Sequence, residues 1–446
     1  MTQFSKSAST QTTSPSWLDA DLRTVWHPYT QMKTAPPPIP VERGEGVYLI
    51  TPDGRRILDG ISSWWVNIHG HGHPRLNAAL ARQAEKVAQV IFAGFTHEPA
   101  ATLAQELVSR TTPELTRVFY SDDGSTAVEV ALKMAYQGWR NRGETERTLF
   151  VAFDGAYHGD TFGTMATGAV EVFHHEFQNL FFEVRHAHGP YCGTHAEAPP
   201  HRRCSPSLEE ILDQEGERVA AVIVEPMVQG AGGMIIQPPE FLRRIRELTH
   251  HHGIPLIADE VFTGFGRTGR FFACEHGPVA PDLLCLSKGL TAGYLPLSAT
   301  LATDEIYQAF LSEDRGRTFF HGHSFTANAL SCAVALESLA IFDSEQVMTR
   351  IGRLEALFQE RLAGLAKLPC VQGARTLGGL AALDVGGGDG GYLDGRGPWL
   401  AEQFLARDIL LRPLGNVLYF LPPYAVTDQE AHHVFDAMEE VLSQLS

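Results

Sequence analysis

The stretch Asp282-Leu283-Leu284-Cys285-Leu286-Ser287-Lys288-Gly289-Leu290 decides how this chain folds. Its apolar run predicts a buried strand that ends in a polar residue, a lysine and a glycine. Upstream, Ile254-Pro255-Leu256-Ile257-Ala258 is a second apolar run, and it ends in Asp259-Glu260. Strand ends carrying Asp and Lys are where an open α/β sheet builds its site. Successive strand residues point to opposite faces, so only one of Asp259 and Glu260 can face Lys288. The A-D-E context favours Asp259 and leaves Glu260 as the alternative.

Working outward, helices and short apolar runs alternate from about residue 99 to 300. Further strands are predicted at 117–121, 148–153, 219–225 and 255–260. Between two of them Phe241, Leu242, Ile245 and Leu248 keep helical spacing, and Gly253 can close that helix. Such alternation implies a mainly parallel sheet covered by helices on both faces. Before it, 46–50 and 56–59 flank Asp53-Gly54 as a hairpin. A helix is predicted from Pro74, with Leu76, Leu80, Val87 and Val90/Ile91 on one face. The C-terminal third reads as helices at about 326–342 and 344–366, strands at 379–385 and 417–421, and a closing amphipathic helix at 428–445. Seven of the twelve residues from Gly386 to Gly397 are glycine. They lack the spacing of a phosphate loop and read as a flexible hairpin loop.

At 446 residues the chain is too long for one core. We expect a Ser/Thr-rich solvated tail at 1–16, a small α+β domain built from 17–75 and 336–446, and a large domain at 76–335. A net charge of −17 and the lack of a basic run argue against nucleic-acid binding. No apolar stretch approaches the length of a spanning helix. The tail has neither an apolar signal core nor arginines, so a cytoplasmic location is expected, with no membrane. The six cysteines are sparse, as expected for reduced thiols. Cys192, His195, His201 and Cys204 have a spacing that could hold zinc, but Ala-Pro-Pro joins the two halves. A solvated insertion is the expectation, with no metal.

The residues around Lys288 suggest pyridoxal phosphate (PLP) chemistry. A lysine can form a Schiff base with an aldehyde cofactor, and Asp259 can hold a pyridinium proton. Tyr120 to Thr126 leaves a strand and opens a long helix, so Gly124 and Ser125 can offer backbone N–H groups to a phosphate. Simple N-capping of that helix is the ordinary alternative. Tyr157, in Tyr157-His158-Gly159-Asp160, can cover a ring face or serve as a core tyrosine.

These segments resemble the class III (ω-) aminotransferases of fold-type I PLP enzymes. The likeness rests on Leu256 to Gly269, Asp282 to Gly289, Gly124-Ser125 with Ala127, Glu129 and Ala131, Tyr157-His158-Gly159, and Glu225-Pro226. It runs from about Trp26 to the C-terminus. The resemblance implies Lys288 as the Schiff-base lysine, Asp259 as the pyridinium partner, Gly124 and Ser125 on the phosphate, and Tyr157 stacked on the ring. In His321-Gly322-His323-Ser324 it implies that Ser324 contacts the phosphate across a homodimer interface.

Trp26 to Met32, Ser62-Ser63-Trp64-Trp65, and Arg412 to Asn416 with Tyr419 are similar to one branch of that family. That branch moves the amino group of S-adenosylmethionine onto an amino-oxo acid in biotin biosynthesis; some relatives take it from lysine. The likeness implies a substrate pocket of Tyr29, Trp64, Trp65, Asp160, Arg267, Gly322, Arg412 and Tyr419 with Tyr157. Of the tryptophans, Trp65 is expected to face it and Trp64 to be core. Arg412 is expected to clamp the distal carboxylate of the acceptor. Other class III activities, on ornithine or 4-aminobutyrate, remain the alternative. Asn328-Ala329 stands where the family often has Asn-Pro.

Overall fold

Strand alternation partitions the central sheet between two cores. The computed structural model describes residues 16–189, 205–386 and 391–445. Val151, Phe153, Val222, Val224, Leu256, Ala258, Leu284 and Leu286 pack into one apolar cluster. Their neighbours Phe150, Ala152, Ala221, Ile223, Ile257, Leu283 and Cys285 pack into another on the opposite face. The Gly124–Asn141 helix covers that second face through Ala127, Val130, Ala131 and Met134.

The sheet has seven strands, ordered Leu115–Ser121, Ser298–Thr303, Leu283–Leu286, Leu256–Asp259, Val219–Val224, Leu149–Phe153, Val184–Ala187. All run parallel except Ser298–Thr303, which is antiparallel to both neighbours. The sequence predicts five of these strands. Ser298–Thr303 is missed because it is built of small and hydroxylated residues, although it is largely buried. Val184–Ala187 is a short edge strand whose Arg185 and His186 hide the apolar pattern. Asp259 pairs in register with Cys285, so Asp259 and Lys288 leave the sheet at the same, carboxyl edge.

Two further sheets lie beside it. The Asp53-Gly54 hairpin forms as predicted, and Ile409–Leu410 pairs in parallel with Arg56–Asp59. This joins an N-terminal strand to a C-terminal one. Leu380–Val385 lies between Val371–Leu377 and Val417–Phe420. Their apolar cluster draws on Leu58, Ile61 and Trp65 as well as Phe358, Phe420 and Phe435, the last three ring against ring.

The Pro74 helix stops at Ala84, so Val87, Val90 and Ile91 do not extend its face; Ile91 is exposed. Asn328 accepts from Ser331 N–H and caps the Ala329–Ser344 helix, so the helix starts without a proline at its first position. Among the described residues no helix is long and apolar enough to cross a membrane. The Cys192–Cys204 cluster and residues 1–15 of the expected tail lie outside the described residues.

Candidate active site

The carboxyl ends of the parallel strands open into a cavity of about 520 Å³. Lys288 stands at its floor on a left-handed backbone turn, φ 43°, a conformation that side-chain-bearing residues seldom adopt. Its Nζ lies 4.5 Å from the centroid of Trp65 and 5.6 Å from that of Phe262. Burial among these rings lowers the amine to about 8, against the opposing pull of Asp259 and Glu225.

Asp259 is buried, with its carboxylate 2.7 Å from His158 Nδ1 and accepting from Val261 N–H at 3.1 Å. Glu260 points the other way, buried, and accepts from the amides of Ala273 and Cys274. Burial pushes Glu260 up to about 7. Glu225 ends the next strand, takes the amides of Tyr157 and Gly230, and is likewise pushed to about 7 by burial.

The Gly124–Asn141 helix points its N-terminus at the cavity. Asp123, not Ser125, is its cap, in a reciprocal box with Thr126. A Cβ on Gly124 would lie 2.5 Å from Val261 Cγ1, so any side chain there would have to push Val261 aside. Ser125 Oγ accepts from Asp160 N–H at 3.3 Å. Asp160 in turn accepts from the Tyr29 hydroxyl at 2.5 Å, and Tyr29 and Tyr157 hydroxyls are 3.3 Å apart. Burial is the main reason both phenols are held well above the ordinary tyrosine value.

Ser62, Ser63, Trp64 and Trp65 all have positive φ, from 45° to 72°. Four consecutive left-handed residues cost about 1–2 kcal/mol each. Asp59, fully buried, holds the turn. Its carboxylate accepts from Ser63 N–H at 2.9 Å and Ser63 Oγ at 2.7 Å, and it faces His71 Nε2 at 2.9 Å. The turn puts Trp64 at the cavity wall rather than in the core. Trp65 is the buried one, donating Nε1–H to Tyr419 at 3.1 Å, whereas Trp64 is 38% exposed. Both line the cavity. The guanidinium of Arg412 sits 4.5 Å over the Trp64 ring.

The cavity therefore brings together eleven expected residues: Tyr29, Trp64, Trp65, Gly124, Ser125, Tyr157, Asp160, Asp259, Lys288, Arg412 and Tyr419. Three stand apart. Arg267 is buried behind the wall, where its guanidinium donates to the Pro422 carbonyl at 3.2 Å and lies over Tyr424; those contacts keep it from the cavity. Gly322 and Ser324 are not on this chain's cavity wall, although His323 lies 3.6 Å from Asp122 at its edge. The sequence reading missed His158, Phe173 and Tyr392. His158 had a signal, its place beside Tyr157 in the quoted motif. Phe173 and Tyr392 had none, because only tertiary packing carries them to the wall.

The model of the family described as aminotransferase class-III matches residues 29–442. The chain belongs to the class-III aminotransferases. This aminotransferase is 48% identical over 424 residues to the adenosylmethionine-8-amino-7-oxononanoate aminotransferase of Synechococcus elongatus, covering 94% of this chain and 99% of that one. It is 43% identical to the enzyme of that name from Geobacter sulfurreducens, covering 95% and 96%. The crystal structure of the one from Methanocaldococcus jannaschii superposes with a TM-score of 0.90 at 38% identity, covering 96% and 98%. An amine transaminase from an uncultivated Pseudomonas species, solved in a PLP-bound form, superposes at 0.86 with 32% identity, covering 95% and 99%.

Proposed function

We propose that this aminotransferase moves the amino group of S-adenosylmethionine to 8-amino-7-oxononanoate, giving 7,8-diaminononanoate for biotin synthesis, with pyridoxal phosphate as cofactor. The observation that carries the reading is the composition of the cavity. It has a lysine floor, a largely aromatic wall, and at one side the Arg412 guanidinium, which among the described residues forms no ion pair. That combination suits a long apolar acceptor ending in a carboxylate, and a sulfonium-bearing donor. The names borne by relatives at 34–48% identity over nearly the whole chain support the same reading.

The donor set fits pyridoxal phosphate. Bound there, the cofactor supplies an aldehyde to capture the amine and a ring that draws electrons from the substrate's Cα. Among the described residues Lys288 is the only lysine on the cavity wall, and an amine near 8 is partly neutral at physiological pH. Its Nζ would take the proton from the substrate's Cα and deliver it to the carbon that was the cofactor's aldehyde, the shift that transamination requires. The Asp259 carboxylate, oriented by His158, offers an acceptor to a ring N–H. Gly124 and Ser125 present the helix N-terminus to a phosphate. Tyr157 closes one side, and its contact with Tyr29 and Asp160 orients it.

In this reading the active form is a homodimer in which Ser324 of each subunit reaches the other's phosphate site. The same reading divides the chain into a large domain at 76–335 and a small one from 17–75 and 336–446.

The decisive experiment mixes cofactor-loaded protein separately with S-adenosylmethionine, lysine, ornithine and 4-aminobutyrate, following the visible spectrum. Only S-adenosylmethionine is expected to convert the cofactor to its amine form. Conversion by ornithine or 4-aminobutyrate alone would refute the assignment, and conversion by lysine alone would change the donor.

A further inference from the structure

The glycine-rich stretch before the Arg396–Leu405 helix has a use that the proposed chemistry does not absorb. Its described part, from Gly391 onward, is fastened against the loop that carries Arg412 and Leu414. A Cβ on Gly415, which sits at φ +60°, would lie 1.7 Å from the Gly391 carbonyl oxygen and 2.9 Å from Tyr392 Cα. A Cβ on Gly397 would lie 2.9 Å from the Gly415 carbonyl oxygen. Asp394 N–H donates to the Gly391 carbonyl, Gly397 N–H donates to that of Asp394, and the Arg396 guanidinium grips the Asp394 carboxylate. The glycines let two backbones touch, and the contact carries Tyr392 to the cavity wall.

There Tyr392 meets Phe173 edge to face, centroids 4.8 Å apart at 78°. Phe173 also meets Tyr29 at 5.5 Å and Tyr157 at 5.9 Å. Phe173 is thus a hub for three tyrosines. Two of them belong to the expected site, and the third comes from a distant loop. Arg412, the group suited to the acceptor's carboxylate, lies instead over Trp64.

We infer that Tyr392, backed by Phe173, is a specificity-determining residue for the amino donor, receiving its sulfonium-nucleoside end. The inference rests on the proposed S-adenosylmethionine reading. A tyrosine face attracts a sulfonium and stacks on a purine. Beyond its reacting ketone and the adjoining amine, the acceptor brings only an alkyl chain and a carboxylate, which gain little from that face. Donors such as lysine or ornithine have no purine to place there.

The test compares wild type, Tyr392→Phe, Tyr392→Ala and Gly415→Ala, each loaded with cofactor. Calorimetry measures binding of 5′-methylthioadenosine, which has the purine and the sulfur but no amine to react. Single-turnover kinetics then measures each half-reaction with S-adenosylmethionine and with 8-amino-7-oxononanoate. Tyr392→Ala is expected to weaken methylthioadenosine and to raise the apparent KM for S-adenosylmethionine by roughly tenfold, the scale of one lost stacking contact. The acceptor half-reaction should change far less. Gly415→Ala, which displaces the loop without removing the ring, should also weaken methylthioadenosine, and Tyr392→Phe should recover most of the binding. Equal losses in both half-reactions, no loss in either, or Tyr392→Phe as weak as Tyr392→Ala would overturn the inference. A wild type inert to S-adenosylmethionine would sink the functional reading itself. A reactive wild type matched by Tyr392→Ala sinks only the inference.

Discussion

Replacing Lys288 with methionine is expected to stabilise the cofactor-free protein. The substitution keeps the unbranched stem and removes the amine from its cradle of Trp65 and Phe262. In the folded state the amine is lowered from the ordinary 10.5 to about 8, mainly by burial. A displacement of that size corresponds to about 3 kcal/mol. Solvent still reaches the half-buried side chain, which reduces the expected effect to about 2 kcal/mol. The sign follows from proton binding. Below about pH 8 the amine is charged in both states, and the folded protein bears the whole penalty. Between about 8 and 10.5 the unfolded chain holds a proton that the folded one does not, so wild-type stability rises with pH through that window. Urea unfolding of the two cofactor-free proteins, followed by circular dichroism at pH 7 and pH 9.5, measures the gap from midpoints at equal slope. Lys288→Met should be the more stable by about 2 kcal/mol at pH 7, and the gap should narrow at pH 9.5. A variant less stable than wild type at pH 7, or a gap that widens with pH, would refute the reasoning.

Asp59→Ala should destabilise the protein by about 3 kcal/mol, because buried donors lose a charged acceptor just where four left-handed residues need holding. Asp59→Asn should lose less, and urea midpoints distinguish them. Gly124→Ala forces a Cβ against Val261; equilibrium dialysis should show roughly tenfold weaker cofactor retention, the equivalent of about 1.4 kcal/mol of strain. His158→Ala removes the partner of Asp259 and should weaken cofactor binding by a similar factor of roughly ten, read in the same dialysis. Arg412→Met should raise the apparent KM for the oxo-acid acceptor roughly tenfold while affecting the donor half-reaction much less, as expected for a lost guanidinium–carboxylate pair.

The local sequence around Lys288 and Asp259 was enough to place both at the carboxyl edge of a mainly parallel sheet, because burial on both faces writes itself as continuous apolar runs. Gly124 was legible for a similar reason: a small residue between a strand and a helix leaves few other uses. The family resemblance added the aromatic residues from Tyr29 to Tyr419, whose roles no local pattern reveals.

Tertiary structure decided the rest. It sent Arg267 into the interior and set Trp65 inside Trp64, through a left-handed turn that Asp59 holds by contacts no spacing rule encodes. It also fastened the described end of the glycine-rich stretch, from Gly391 onward, against Gly415, and so delivered Tyr392. The physical reason is common to all three. Periodicity records which face of an element is buried, whereas the direction of a side chain in a turn depends on which distant backbone happens to lie against it.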